Sequence, residues 1–146
     1  MGRVADILAH KGGQVHSVAQ GATVFEALEQ MVEHNVGSLV VMDGDAIAGI
    51  FTERDFLRRV AVVGKDPRRT PVSEVMTARL IVLDPGRSVQ ECMAIMTSSR
   101  IRHLPVMESG RLAGVVSIGD VVQHLSAERE VEVRYLTDYI TGKYPA

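Results

Sequence analysis

A chain of 146 residues is long enough for one full hydrophobic core, or for two small units. Sixteen basic and eighteen acidic side chains leave a formal charge of −2, without the basic excess of a nucleic-acid footprint, and 4% aromatic residues argue against base-stacking platforms. Cys92 is the single cysteine, so an intrachain disulfide and a multi-thiolate zinc site are both excluded.

The first segment, Val4-Ala5-Asp6-Ile7-Leu8, is short and ends at a turn, Lys11-Gly12-Gly13. Val24, Ala27, Leu28 and Met31 then fall at i, i+3, i+4 and i+7, which predicts one apolar helical face with Thr23 as its N-cap. The run Leu39-Val40-Val41-Met42, a turn at Asp43-Gly44-Asp45 and a second run from Ala46 to Phe51 predict a hairpin. A second helix starts near Thr52 and carries Phe56, Leu57 and Val60. The Gly-, Pro- and charge-rich stretch 64–71 reads as a linker.

The rest repeats the beginning. Shifted by 65, residues 18–57 overlie 83–122 without a gap; Gly21/Gly86, Val24/Val89, Met31/Met96, Gly49/Gly114 and Asp55/Asp120 are among the identities. Val89, Cys92, Met93 and Met96 repeat the first helical face behind Ser88. Upstream, Val72-Ser73-Glu74-Val75-Met76 matches residues 4–8, the first copy carrying three extra residues around Gly12 and Gly13. The expected organisation is repeat 1 over 4–63, the linker 64–71, repeat 2 over 72–125, and a C-terminal helix and tail over 126–146, with Val133, Leu136 and Ile140 on one side of that helix. Each unit reads β-α-β-β-α and is too small to bury a secure core by itself.

One repeated element carries chemistry: Gly49-Ile50-Phe51-Thr52-Glu53-Arg54-Asp55 and Gly114-Val115-Val116-Ser117-Ile118-Gly119-Asp120. Taken singly, Thr52-x-x-Asp55 and Ser117-x-x-Asp120 are ordinary capping boxes, in which hydroxyl and carboxylate satisfy orphan backbone N–H groups. The same geometry also makes a nucleotide cradle. A strand-end glycine admits a ligand close to the backbone, a helix N-terminus suits phosphate, and a carboxylate accepts from both hydroxyls of a ribose.

A twice-repeated β-α-β-β-α unit with Gly, two apolar residues, Ser or Thr, two of any kind and then Asp resembles the cystathionine-β-synthase (CBS) domain, whose paired copies form a Bateman module. The stretch Ile101-Arg102-His103-Leu104-Pro105-Val106 is similar to that family's phosphate-facing strand entrance. The resemblance covers residues 4–125 and implies an α/β (α+β) fold of two pseudo-symmetric repeats packed sheet to sheet, with two clefts between them.

It further implies adenine-nucleotide sites at Thr52 with Asp55 and at Ser117 with Asp120. Met76 and Thr77 line the adenine slot of the second. Arg102 and His103, at the strand entrance with Pro105, serve the phosphates at Asp55 together with Arg54. The Asp120 site receives only Gly37 and Ser38, with Gly119 in the place of Arg54, so the Asp55 site is expected to hold phosphate better. Lys11 reads as a solvated loop lysine, with a phosphate contact as the alternative.

His10, His16, His34, His103 and His124 show no metal-ligand spacing, and no metal is expected. Cys92 reads as an inert core thiol. Arg58-Arg59 and Arg68-Arg69 read as solvated charge. No apolar stretch approaches the ~20 residues of a membrane span, and a cytoplasmic location is expected.

The leading expectation is a regulatory sensor and not an enzyme. It would bind AMP, ATP or NAD, form a homodimer and act on an unidentified protein partner in trans. A structural interaction scaffold with vestigial clefts is the alternative. A small nucleotide hydrolase ranks third, because neither a metal cluster nor a nucleophile–base pair is evident.

Overall fold

The short leaders that precede each repeat decide how the chain is divided. In a computed structural model, which describes residues 2–12 and 14–127, the chain forms two compact units that do not follow chain order. One unit holds 14–82; the other joins the N-terminal residues 2–12 to residues 83–127. Each unit therefore contains the core of one repeat and the leader of the other. The expected C-terminal helix, with Val133, Leu136, Tyr139 and Ile140, lies outside the described residues.

In the unit over 14–82, strand β1 (Ser17–Ala19) is followed by helix α2 (Val24–His34), strands β2 (Ser38–Asp43) and β3 (Ala46–Thr52), and helix α3 (Glu53–Phe56). β1 pairs in parallel with β2, and β2 pairs antiparallel with β3. Thr23 caps α2 through the Glu26 N–H, as its position before the apolar face predicted. The face itself turns inward: Val24, Ala27 and Met31 are buried against Val18, Leu39, Val41, Phe51 and Val60. Val72 and Val75 of the leader, a 3₁₀ turn over Val72–Glu74, complete this core.

α3 passes into a π-helical turn, Leu57–Ala61. Phe56 and Val60, four residues apart, face the core, whereas Leu57 lies beside that stripe and is 56% exposed.

The other unit begins with the leader helix α1 (Val4–Lys11), which inserts Val4 and Ile7 into a core of Leu83, Val89, Cys92, Met96, Leu104, Val106, Val116 and Val121. Helix α4 (Val89–Ser99), capped by Ser88, precedes the hairpin β4 (His103–Glu108) and β5 (Arg111–Ser117), and helix α5 follows over residues 118–127. The duplication extends to irregularities. Both hairpins shift register at equivalent points, between Val41 and Met42 and between Val106 and Met107. Leu83, equivalent to Val18, bridges Val106 as Val18 pairs with Val41.

Candidate functional site

β3 and β5 end on the hydroxyl residues of the repeated motif, and a helix starts at the next residue in each case. The Thr52 N–H donates to Asp55 Oδ2 at 3.0 Å, and the Asp55 N–H donates to Thr52 Oγ1 at 3.1 Å. In the other unit the Ser117 N–H donates to Asp120 Oδ2 at 2.9 Å, and the Asp120 N–H to Ser117 Oγ at 3.1 Å. Both are complete capping boxes.

The strand entrances are stitched to the same helix starts. Ser38 pairs with Thr52, and the Glu53 N–H donates to the Gly37 carbonyl at 3.1 Å. Equivalently, His103 pairs with Ser117, and the Ile118 N–H donates to the Arg102 carbonyl at 2.8 Å. Gly37, Ser38, Thr52 and Asp55 are therefore gathered in one unit, and Arg102, His103, Ser117 and Asp120 in the other. Pro105 sits two residues into β4, opposite Val115 and buried; Arg54 is exposed on the first turn of α3.

The leaders close each site from the side, differently from what was expected. The family resemblance places Met76 and Thr77 with Asp120; the structure joins them to Asp55. The Thr77 hydroxyl donates to Asp55 Oδ1 at 3.1 Å, and Thr77 and Ile50 exchange backbone hydrogen bonds of 3.0 and 2.8 Å. Arg59 ties the arrangement together: its Nη1 donates to the Val75 and Met76 carbonyls, and its Nε lies 3.9 Å from Asp55 Oδ1. The spacing of Asp55 and Arg59, four residues apart, was the signal that reading Arg59 as solvated charge passed over.

Lys11 is likewise corrected. It is not a solvated loop residue but the last residue of α1, and its Nζ donates to Asp120 Oδ2 at 2.6 Å and to the Val115 carbonyl at 2.7 Å. Burial by itself would raise the Asp120 pKa, but the Lys11 ammonium and the Ser117 N–H and hydroxyl outweigh it and hold the carboxyl below its ordinary value.

The motif glycines also have a packing role. A Cβ on Gly49 would stand 2.7 Å from both Met76 Sδ and the Thr77 carbonyl oxygen, and one on Gly114 would stand 2.7 Å from Leu8 Cδ2. The space that glycine leaves is filled by the leader, which corrects the reading of these glycines as openings for a ligand.

Among the described residues no group of three or more His, Cys, Asp or Glu is placed to hold a metal ion. His16 and His34 stack ring on ring with centroids 3.8 Å apart. Cys92 is fully buried and burial pushes its thiol pKa up, which makes it a poor nucleophile. No helix among the described residues is long and apolar enough to cross a membrane.

The model of the CBS domain family matches residues 4–62 and 72–127. The chain belongs to the CBS domain family. A mitochondrial CBS domain-containing protein of Arabidopsis thaliana is 39% identical over 150 residues, covering 97% of this chain and 73% of the relative. A solved CBS-domain protein from Burkholderia ambifaria MC40-6 is 43% identical with a TM-score of 0.83, over 86% of this chain and 94% of that one. The hexameric CBS-CP12 protein from bloom-forming cyanobacteria is more distant, at 29% identity and a TM-score of 0.74, over 82% of this chain and 66% of its own. CBS domains as a class are regulatory, nucleotide-binding modules. The family matches follow the repeats in chain order, whereas the compact units of this CBS pair exchange their leaders.

Proposed function

We propose that this CBS pair is a regulatory sensor of adenine nucleotides, binding AMP, ATP or NAD at its two helix starts and passing the signal to a protein partner in trans. One observation carries the reading. The hydroxyl–carboxylate box occurs twice, with hydrogen bonds matching to 0.1 Å, and each stands where a strand end passes into a helix start. Asp55 and Asp120 take the ribose hydroxyls, Thr52 and Ser117 add hydroxyl contacts, and Arg54, on the first turn of α3, is a phosphate donor of the Asp55 ligand. The protein acts without catalysis, as a homodimer, in the cytoplasm; the oligomeric CBS-CP12 relative and the lone buried Cys92 support the last two.

A second reading is favoured by a specific observation. Both boxes are complete without a ligand, and Thr77 and Lys11 already engage the two carboxylates. A docking scaffold with vestigial sites would look the same. Asp55→Ala decides between them: the sensor loses nucleotide affinity by about 10- to 100-fold, on the scale of hydrogen bonds to a charged group. A scaffold variant that binds its partner normally, in a protein that never bound nucleotide, would remove the sensor reading.

A further inference from the structure

We propose that Lys11 determines the ligand specificity of the Asp120 site, making it select nucleotides that carry phosphate over unphosphorylated nucleosides. The inference rests on the nucleotide reading and deepens it. It also supplies the Asp120 site with the cation that the expected ranking left out.

The argument is one of charge balance. The Lys11 ammonium is partly buried, its side chain 35% exposed, and two of its three N–H groups go to Asp120 Oδ2 and to the Val115 carbonyl. Lys11 and the Ser117 N–H both hold Oδ2, so a ribose whose two hydroxyls take both carboxylate oxygens competes with Lys11 for one of them. A neutral nucleoside offers the displaced ammonium nothing in return, so its binding breaks a charge-assisted pair. A phosphate-bearing ligand supplies both halves of an exchange. Its hydroxyls take the carboxylate while its phosphate takes the ammonium, and each charge keeps a partner.

At the Asp55 site the nearby cation, Arg59, lies 3.9 Å from the carboxylate and keeps the Val75 and Met76 carbonyls as partners when a ligand takes Asp55. There the leader contributes the Thr77 hydroxyl, a neutral donor that can turn away without leaving a charge unpaired. The difference comes from the leaders themselves. In the alignment that sets Val4 over Val72, Thr77 falls on Ala9 and Lys11 on Arg79. The carboxylates are thus reached from non-equivalent positions, and the backbone next to Lys11 is Gly12, at φ 89°, where the chain leaves α1. Positive φ there suits glycine and ends the helix directly behind the lysine.

The test is calorimetric titration of the full chain, stripped of nucleotide, with adenosine, AMP and ATP, in an Asp55→Ala background that leaves the Asp120 site to be read. With Lys11 present, AMP should bind at least about tenfold more tightly than adenosine, the scale of one charge-assisted contact. Lys11→Met keeps the aliphatic stem and should bring that ratio to within about twofold of unity, whereas Lys11→Arg should preserve it. Lys11→Gln is the second neutral variant should the methionine protein fail to fold. A preference for AMP that survives both neutral substitutions overturns the role of Lys11 and leaves nucleotide binding standing. Absence of binding of all three compounds by the unmutated protein overturns both readings together.

Discussion

Replacing the two motif glycines by alanine separates a packing role from a ligand-clearance role. At Gly49 the new methyl would meet the Thr77 carbonyl oxygen at 2.7 Å, a backbone atom held by paired hydrogen bonds to Ile50, as well as Met76 Sδ. Relief requires the leader to move off β3, which takes the Thr77 hydroxyl away from Asp55. At Gly114 the closest neighbour is Leu8 Cδ2, the far end of a flexible side chain that can change rotamer. Overpacking costs about 1–3 kcal/mol, so Gly49→Ala belongs near the upper end of that range and Gly114→Ala at or below the lower. For units of this size, about 1 kcal/mol corresponds to a melting shift of roughly 4–8 °C. Urea and thermal unfolding of the ligand-free protein would measure both variants. If Gly49→Ala were as mild as Gly114→Ala, the backbone contact would not be the reason for the glycine. If both variants kept full stability and lost only nucleotide affinity, the glycines would serve the ligand and the packing account would be refuted.

Two further outcomes follow from the leaders and their contacts. Ile7, 3% exposed, belongs to the core of the unit that begins again at Leu83; Ile7→Ala should cost about 2–5 kcal/mol. Hydrogen exchange should report the loss in β4 and β5 with β1–β3 protected as before, and loss confined to β1–β3 would contradict the exchanged leaders. Asp120 has its pKa lowered in the folded chain, so its stabilising contribution is present above the unfolded carboxylate value and disappears as pH falls through the folded one. Lys11→Met should therefore flatten the decline in stability on acidification below about pH 4, and an unchanged acid limb in urea titrations would show that the Lys11–Asp120 pair does not set it.

Local chemistry made much of this fold legible in the chain. Thr23 and Ser88 before the two apolar helical faces, the Gly/Asp turn between two apolar runs, and the 65-residue offset all depend on near neighbours or on counting. The capping boxes were equally open to reading, because three residues define each. What sequence order hid was long-range. Residues 72–77 follow the linker and resemble 4–8, so they were naturally assigned to the repeat that comes after them, yet Val72 and Val75 fill the core with Val18 and Phe51. Nothing in periodicity tells a short apolar leader which of two similar cores to enter. The same step misplaced Thr77 and Met76 and left Lys11 looking like a loop residue, since its partner Asp120 lies 109 residues away. Gly49 and Gly114 were singled out for the right property, the absence of a side chain, but the occupant of the space was visible only once the leaders had been placed.

The most direct test of the central claim is calorimetry on the nucleotide-stripped protein with AMP, ATP, NAD, NADH, S-adenosylmethionine and GTP, repeated on the Asp55→Ala/Asp120→Ala double variant. The account predicts micromolar binding of at least one adenine ligand, about −8 kcal/mol, that disappears in the double variant while the fold persists. No binding of any of the six by the folded unmutated protein, or binding indifferent to both substitutions, would contradict it.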